Sequence, residues 1–240
     1  MSTSVAGVEP VAAGFVGPML DAAGGAEAPA STAIEIAILL TLLSVLPALL
    51  ITVTSFTRIV IVLSFVRRAL SVQDMPPNQV VIGLALFLTV VAMNPTLTAI
   101  WDGAVQPYME EELTMDEALD VASVELKTFM LRHAHEEEIG LFLDVTESAE
   151  PETPEDVPLT VLIPAFALSE VKVAFKMGFL IYIPFLILDI VISSILLAMG
   201  MFMLPPVIIS TPFKILLFIL VDGWTLVIGA LMQSFEVVPL

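Results

Sequence analysis

From Val80 to Trp101 the chain runs 22 residues without a single charge. Away from water, such a stretch satisfies its own backbone groups only as a helix, and about 20 apolar residues cross a bilayer. Three more apolar stretches accompany it. One runs from Ala33 to Val53 and continues past Arg58 to Val66. The other two fill Gly178 to Met232 around the turn Ala198-Met-Gly-Met-Phe-Met-Leu-Pro-Pro206. With 58% hydrophobic residues and a mean hydropathy of +1.01, the chain reads as an all-α membrane protein built from kinked hydrophobic hairpins. It has no cysteine, which excludes disulfides and thiolate metal sites.

Proline and charge punctuate these stretches. Pro47 predicts a kink in the first, because proline removes a backbone donor and crowds the preceding turn. A polar link over 67–79 carries Arg67-Arg68 and then Met75-Pro-Pro-Asn78, whose prolines predict an extended break. Asn94-Pro95 predicts a kink or early stop in the second stretch, and Pro184 a bend near the start of the third. The first 32 residues contain no Lys or Arg. They lack the basic start of a signal peptide and read as a mobile tail, a divergent processed leader being the alternative. The expected division is a tail at 1–32, a first hydrophobic hairpin at 33–101, an acidic helical domain at 102–164 and a second hairpin at 165–240.

The formal charge of −18 is concentrated. Between Asp102 and Pro158 lie 17 of the 26 acids, with only Lys127 and Arg132 among the bases. Such a surface repels phosphate, so nucleic acid is excluded as a partner. Within it, Thr114-Met-Asp-Glu117 has the form of a capping box. Leu119, Ala122, Leu126, Phe129, Met130 and His133 then recur at helical spacing, predicting an amphipathic helix over 115–133. A shorter helix is expected over 137–143, then a solvated loop with three prolines and five acids over 147–158. Another helix at about 165–177, carrying Lys172 and Lys176, should lead into the third stretch. Arg67-Arg68 places the first link in the cytoplasm and the acidic domain outside, although Lys172 and Lys176 run against that rule.

Arg58, Asp189, Lys214 and Asp222 stand inside apolar stretches. Each costs a few kcal/mol or more in hydrocarbon unless it is paired, reaches an interface or faces water, by the roughly +2.5–3.5 kcal/mol of insertion scales. Lys214 could snorkel from near Pro205-Pro206; the short side chain of Asp189 could not. Pairing Asp189 with Lys214 is the better account, since they stand at similar distances from the turn on opposite arms. Structural ion pairing and a proton relay through Asp189, Lys214 and Asp222 are the two functional readings.

Met199, Met201 and Met203 flank Phe202 at the turn. Their bland reading is core or interface packing. Thioether chains are also adaptable enough to close around irregular shapes and reopen, as a soft seal must. His133-Ala-His135 beside three glutamates reads as solvated surface, not a metal site. No Ser-His-Asp constellation, phosphate-binding glycine loop or zinc-protease motif occurs, so the chain reads as a non-enzyme with no cofactor.

Several segments are familiar in order. They are Thr54-Ser-Phe-Thr-Arg-Ile-Val-Ile-Val62, Pro76-Pro-Asn-Gln-Val80, Gly83-Leu-Ala-Leu-Phe-Leu-Thr89 and Phe129-Met-Leu-Arg132. Pro184-Phe-Leu-Ile-Leu-Asp189, Met201-Phe-Met-Leu-Pro-Pro206, Pro212-Phe-Lys214 and Leu220-Val-Asp-Gly-Trp224 follow. Together they resemble the FliP family of type III export-gate proteins over about residues 34–235. Virulence-secretion homologues of the SctR type share several motifs, but the ending Val221-Asp-Gly-Trp-Thr-Leu-Val-Ile-Gly-Ala-Leu-Met-Gln-Ser-Phe235 is closer to the flagellar branch.

The resemblance implies a pore-forming subunit at the flagellar base of the bacterial inner membrane. Its copies, usually five, would join FliQ and FliR in an oligomeric helical cone that passes unfolded flagellar proteins outward, with FlhA and FlhB as further partners. The acidic domain would face the periplasm. The family's methionine-rich loop, a gasket around the closed channel, maps onto Met201, Phe202 and Met203, with Met199 just ahead. Family members often carry methionine where this chain has Phe202. The resemblance also implies hairpins lifted above the bilayer plane, so that Arg58, Asp189, Lys214, Asp222 and Arg132 are buried charges or subunit contacts. An ion-coupled transporter and a scaffold that docks partners through its acidic domain are the alternatives.

Overall fold

The computed structural model describes residues 30–71, 76–201 and 203–235, and among them it is helical with no strand. Two compact units divide the chain, Met1–Ala48 and Leu49–Leu240. The described part of the first belongs to α1 (Ala30–Thr52), which contains Pro47 within its run. In α1 the Thr41 and Ser44 hydroxyls each donate at 2.7 Å to the carbonyl four residues back. Most of the predicted tail lies outside the described residues.

In the second unit the chain turns at 53–55 and enters α2 (Phe56–Ala69). Ile59, Val62, Leu63, Val66 and Ala69 are buried at helical spacing, forming one stripe. Next comes α3 (Asn78–Ile100), a π turn (Trp101–Val105) and α4 (Gln106–Met109), an apolar run of 32 residues. The early stop expected at Asn94-Pro95 does not occur. Proline removes one backbone bond there, a loss that a helix packed on neighbours tolerates.

The acidic region folds as α5 (Met115–His133) and α6 (Glu136–Val145). Thr114 opens α5 with the predicted capping box: its backbone N–H donates to Glu117 at 2.8 Å, and its hydroxyl accepts from the Glu117 amide at 3.4 Å. The expected apolar face needs one correction. Leu119 is exposed, whereas Ala118, Phe129 and Met130 are buried. The first half of α5 packs on the π turn, and a β-carbon on Gly103 would lie only 3.3 Å from Val121. So close a neighbour selects a small residue for the contact.

A short 3₁₀ turn (Pro154–Asp156) precedes α7 (Leu159–Ala198), a single helix of 40 residues. Neither Pro164 nor Pro184 ends it, and the helix expected at 165–177 is its first half. At 1.5 Å per residue α7 is about 60 Å long, roughly twice the hydrocarbon thickness. Its halves differ accordingly. Val161, Leu162, Ala165, Phe166, Ser169, Glu170 and Ala174 are buried, while Phe179, Leu180, Ile187 and Ile190 are exposed as a lipid-facing or partner-facing surface would be.

The first half of α7 meets α5 and α6 in a core that includes Phe129, Met130, Leu143 and Phe166. A second core joins α2, α3 and α7 to the last two helices, α8 (Pro206–Leu220) and α9 (Gly223–Gln233). Where α2 crosses α7, a β-carbon on Gly178 would sit 2.5 Å from the Phe65 ring, so only glycine permits that approach.

Gly200 terminates α7 at φ +78°. Its N–H donates to Leu197 and that of Met201 to Leu196, both at 3.0 Å, the paired bonds of a left-handed helix stop. The last apolar stretch is broken, with α8 and α9 meeting at 63° around Asp222. Among the described residues two helices are long and apolar enough to cross a membrane, or three if that bent pair counts as one span.

Candidate functional site

Two buried polar clasps and one exposed bend organise the charged residues. The first clasp centres on Arg58, 3% exposed on the inner face of α2. Its guanidinium holds fully buried Glu170 of α7 in a fork: Nε donates to Oε2 at 2.9 Å and Nη2 donates to Oε1. Nη1 reaches the far end of the chain, donating to the Ser234 carbonyl at 2.9 Å and to its hydroxyl at 3.0 Å. The guanidinium carbon also lies 4.0 Å from the Phe235 ring centre. One planar cation thereby ties α2, α7 and the end of α9, a geometry lysine could not reproduce.

Beyond Phe235 sits His133, at the carboxyl end of α5. Its ring centre lies 5.6 Å from that of Phe235 and 4.6 Å from that of Phe129, and Nδ1 is 2.9 Å from the Phe129 carbonyl. Burial pushes the imidazole below its ordinary value by more than that carbonyl offsets, and Arg58 and Arg132 push the same way. On α6, buried Glu138 pairs with half-exposed Lys172 of α7, and that bond holds its carboxyl below the usual range. His135 is tied through its backbone N–H to the Ser169 hydroxyl at 3.0 Å.

The second clasp lies between the arms of the Met-rich bend. Lys214 of α8 is fully buried and does not snorkel. Its Nζ donates to Asp189 Oδ2 of α7 at 2.6 Å and to the Ser71 hydroxyl, just after α2, at 2.7 Å. Ser210, one turn before Lys214, donates to Asp189 Oδ1 at 2.6 Å. Asp189 keeps 29% of its side chain exposed, which leaves one edge of the clasp open.

Two of the residues expected as buried charges or subunit contacts are exposed within this chain. Arg132 is exposed on α5, and Asp222 is exposed at the break between α8 and α9, at φ +50°. Asp222 occupies the start of α9, where a carboxylate favourably meets the helix dipole. At the bend, Met203 is 95% exposed, Met199 is 59% exposed and Met201 is half-buried. Phe202 lies outside the described residues.

Glu170 went unnoticed in the sequence, although it is the only acid between Leu159 and Leu188. That isolation is the same signal that singled out Asp189. Ser71, Ser210 and Ser234 carried no signal, since serine is unremarkable in any helix terminus.

Long apolar helices, one broken span and charges satisfied by pairing across helices define an all-helical membrane protein. The family model described as FliP family matches residues 39–231. The flagellar biosynthetic protein FliP of Bacillus subtilis is 53% identical over 205 residues, covering 85% of this chain and 93% of its own. Proteins of the same name from Pectobacterium carotovorum and Borreliella burgdorferi are each 48% identical, over 84% and 90% of this chain and 78% and 85% of their own. The chain belongs to the FliP family.

Proposed function

We propose that this chain is a pore-forming subunit of the flagellar type III protein export gate. In this reading about five copies join FliQ and FliR, work with FlhA and FlhB at the basal body, and pass unfolded flagellar proteins through the inner membrane. The family assignment and the flagellar names of its relatives support the flagellar branch over a virulence-secretion role. The acidic helices of 102–164 would stand on the periplasmic side.

The observation that carries the reading is the bend. Met199 and Met203 project into open space at a helix stop, on arms held together by Asp189 and Lys214. Flexible thioethers there can close on one another across copies, yield to a passing polypeptide and close again. Nothing in that role requires a reaction. The clasps would serve as rigid supports, and exposed Arg132 and Asp222 as contacts between subunits.

Deleting Met201–Met203 tests the seal. Membranes carrying the variant should leak small ions while secretion is idle, and membranes as tight as the wild type would remove the gasket role. An Asp189→Asn substitution separates this from ion-coupled transport. Lost coupling with an intact assembly would favour a relay; a weakened assembly favours the clasp.

A further inference from the structure

We propose that His133 is a pH-sensitive wedge: protonating it loosens the grip of α5 and Arg58 on the carboxyl-terminal end of α9. The imidazole sits between Phe129 and Phe235. Its Nδ1 faces the Phe129 carbonyl, and that contact makes Nδ1 the donor in the neutral ring. Nε2 is then a buried acceptor, and among the described residues no hydrogen-bond partner reaches it.

Protonation turns Nε2 into a donor in a place where the described residues offer it no acceptor of good geometry. It also puts a second cation beside the Phe235 ring, whose negative face Arg58 already occupies. Among the described residues the charged groups around the ring are of one sign on the near side: Arg58 from α2 and Arg132 from its own helix. Glu170 of α7 is engaged in the Arg58 fork. The neighbouring faces of α3 and α9 contribute Val91, Ala92, Pro95, Thr96 and Met232, none of which titrates. The Phe235 carbonyl stands near enough to favour the charged ring without satisfying Nε2, and the balance still favours the neutral form.

A cavity of about 490 Å³ beside the wedge, lined by Phe129, Arg132, His133 and Phe235, admits water and leaves room for the ring to swing. Swinging out would take the imidazole from the Phe235 ring and leave Ser234 and Phe235 held by Arg58 and by the last turn of α9. The device would couple acidity on the side of the acidic helices to the second arm of the last hairpin, whether or not the chain gates export.

The test is hydrogen–deuterium exchange on the full chain in detergent, expressed as protection factors between pH 8 and pH 5. Protection of amides at 230–235 should fall several-fold on acidification, with the midpoint matching the His133 titration read by exchange at its ring carbon. His133→Gln should flatten the response, while His135→Gln should keep it. The proposal is overturned if protection is independent of pH, if the midpoint departs from the His133 titration, or if His133→Gln responds as the wild type does. The midpoint comparison needs only wild-type protein, so a variant that folds poorly does not protect the proposal.

Discussion

Arg58 and Glu170 stand 112 positions apart and form a forked, fully enclosed ion pair whose remaining donor captures Ser234. With Ser234, 176 positions from Arg58, the cluster spans nearly the whole second unit. Its energetic meaning follows from burial. A buried pair is weak evidence for net stability, but removing one member leaves an uncompensated charge, at a cost of about 3–5 kcal/mol.

Arg58→Lys should behave as a severe change. The point charge of lysine loses the fork, the Ser234 bond and the flat stack on Phe235. A loss of roughly 2 kcal/mol or more in unfolding free energy is expected, as for hydrogen bonds to charged groups. In a double-mutant cycle with Glu170→Ala the two costs should be strongly non-additive, and additive costs would mean that the pair is not coupled.

Lys214→Met replaces a fully buried ammonium with a chain of similar length. Asp189 then loses its cation and Ser71 its donor, but the exposed edge of Asp189 lets water recover part of the loss. The cost should fall near the lower end, about 3 kcal/mol, seen as a lower melting temperature in detergent. Adding Asp189→Leu should restore much of it, because an apolar pair leaves no orphan charge.

Gly178→Ala forces a methyl group into the Phe65 ring at 2.5 Å. Overpacking of this kind costs about 1–3 kcal/mol, and Phe65→Leu in the same chain should relieve it. Gly83→Ala is the control. Nothing lies within 4 Å of its added β-carbon, so helix propensity alone should stabilise by about 0.5–1 kcal/mol.

Glu138 supplies an acid dependence. Its folded carboxyl is held below the ordinary range by Lys172, so the unfolded chain takes up a proton first as pH falls. Stability from this pair is therefore present above the ordinary carboxylate range and is lost as pH drops through the lowered folded value. Because Lys172 is more than half exposed, solvent screens the pair and keeps the effect small. Melting curves of wild type and Glu138→Gln should converge below that range and separate above it.

How much of this was legible beforehand depends on the range of each interaction. The capping box at Thr114 and Glu117, the limits of α5 and the stop after Ala198 are local, and their residues announce them. The Asp189–Lys214 pairing could be inferred because a hairpin makes distance from the turn a guide to register. The Arg58–Glu170 fork gave no such guide, because nothing in the spacing says that α2 crosses α7 at that height. Leu119 was misplaced for a related reason: periodicity finds a face, but the π turn beneath α5 sets its rotation. The prolines misled in the other direction. Pro95 reads as a kink or early stop and Pro184 as a bend, yet α3 and α7 run on past them.

Residue order alone makes the chain helical, sends its long apolar stretches into or against a membrane, and concentrates its acids between two hydrophobic halves. Composition and short-range periodicity suffice for that, because backbone groups in an apolar setting have so few ways to be satisfied. Helix packing in three dimensions sets which charge meets which, why Gly178 must be glycine, and that Arg58 holds both Glu170 and Ser234. Those are contacts between residues distant in sequence, fixed by the packing of whole helices.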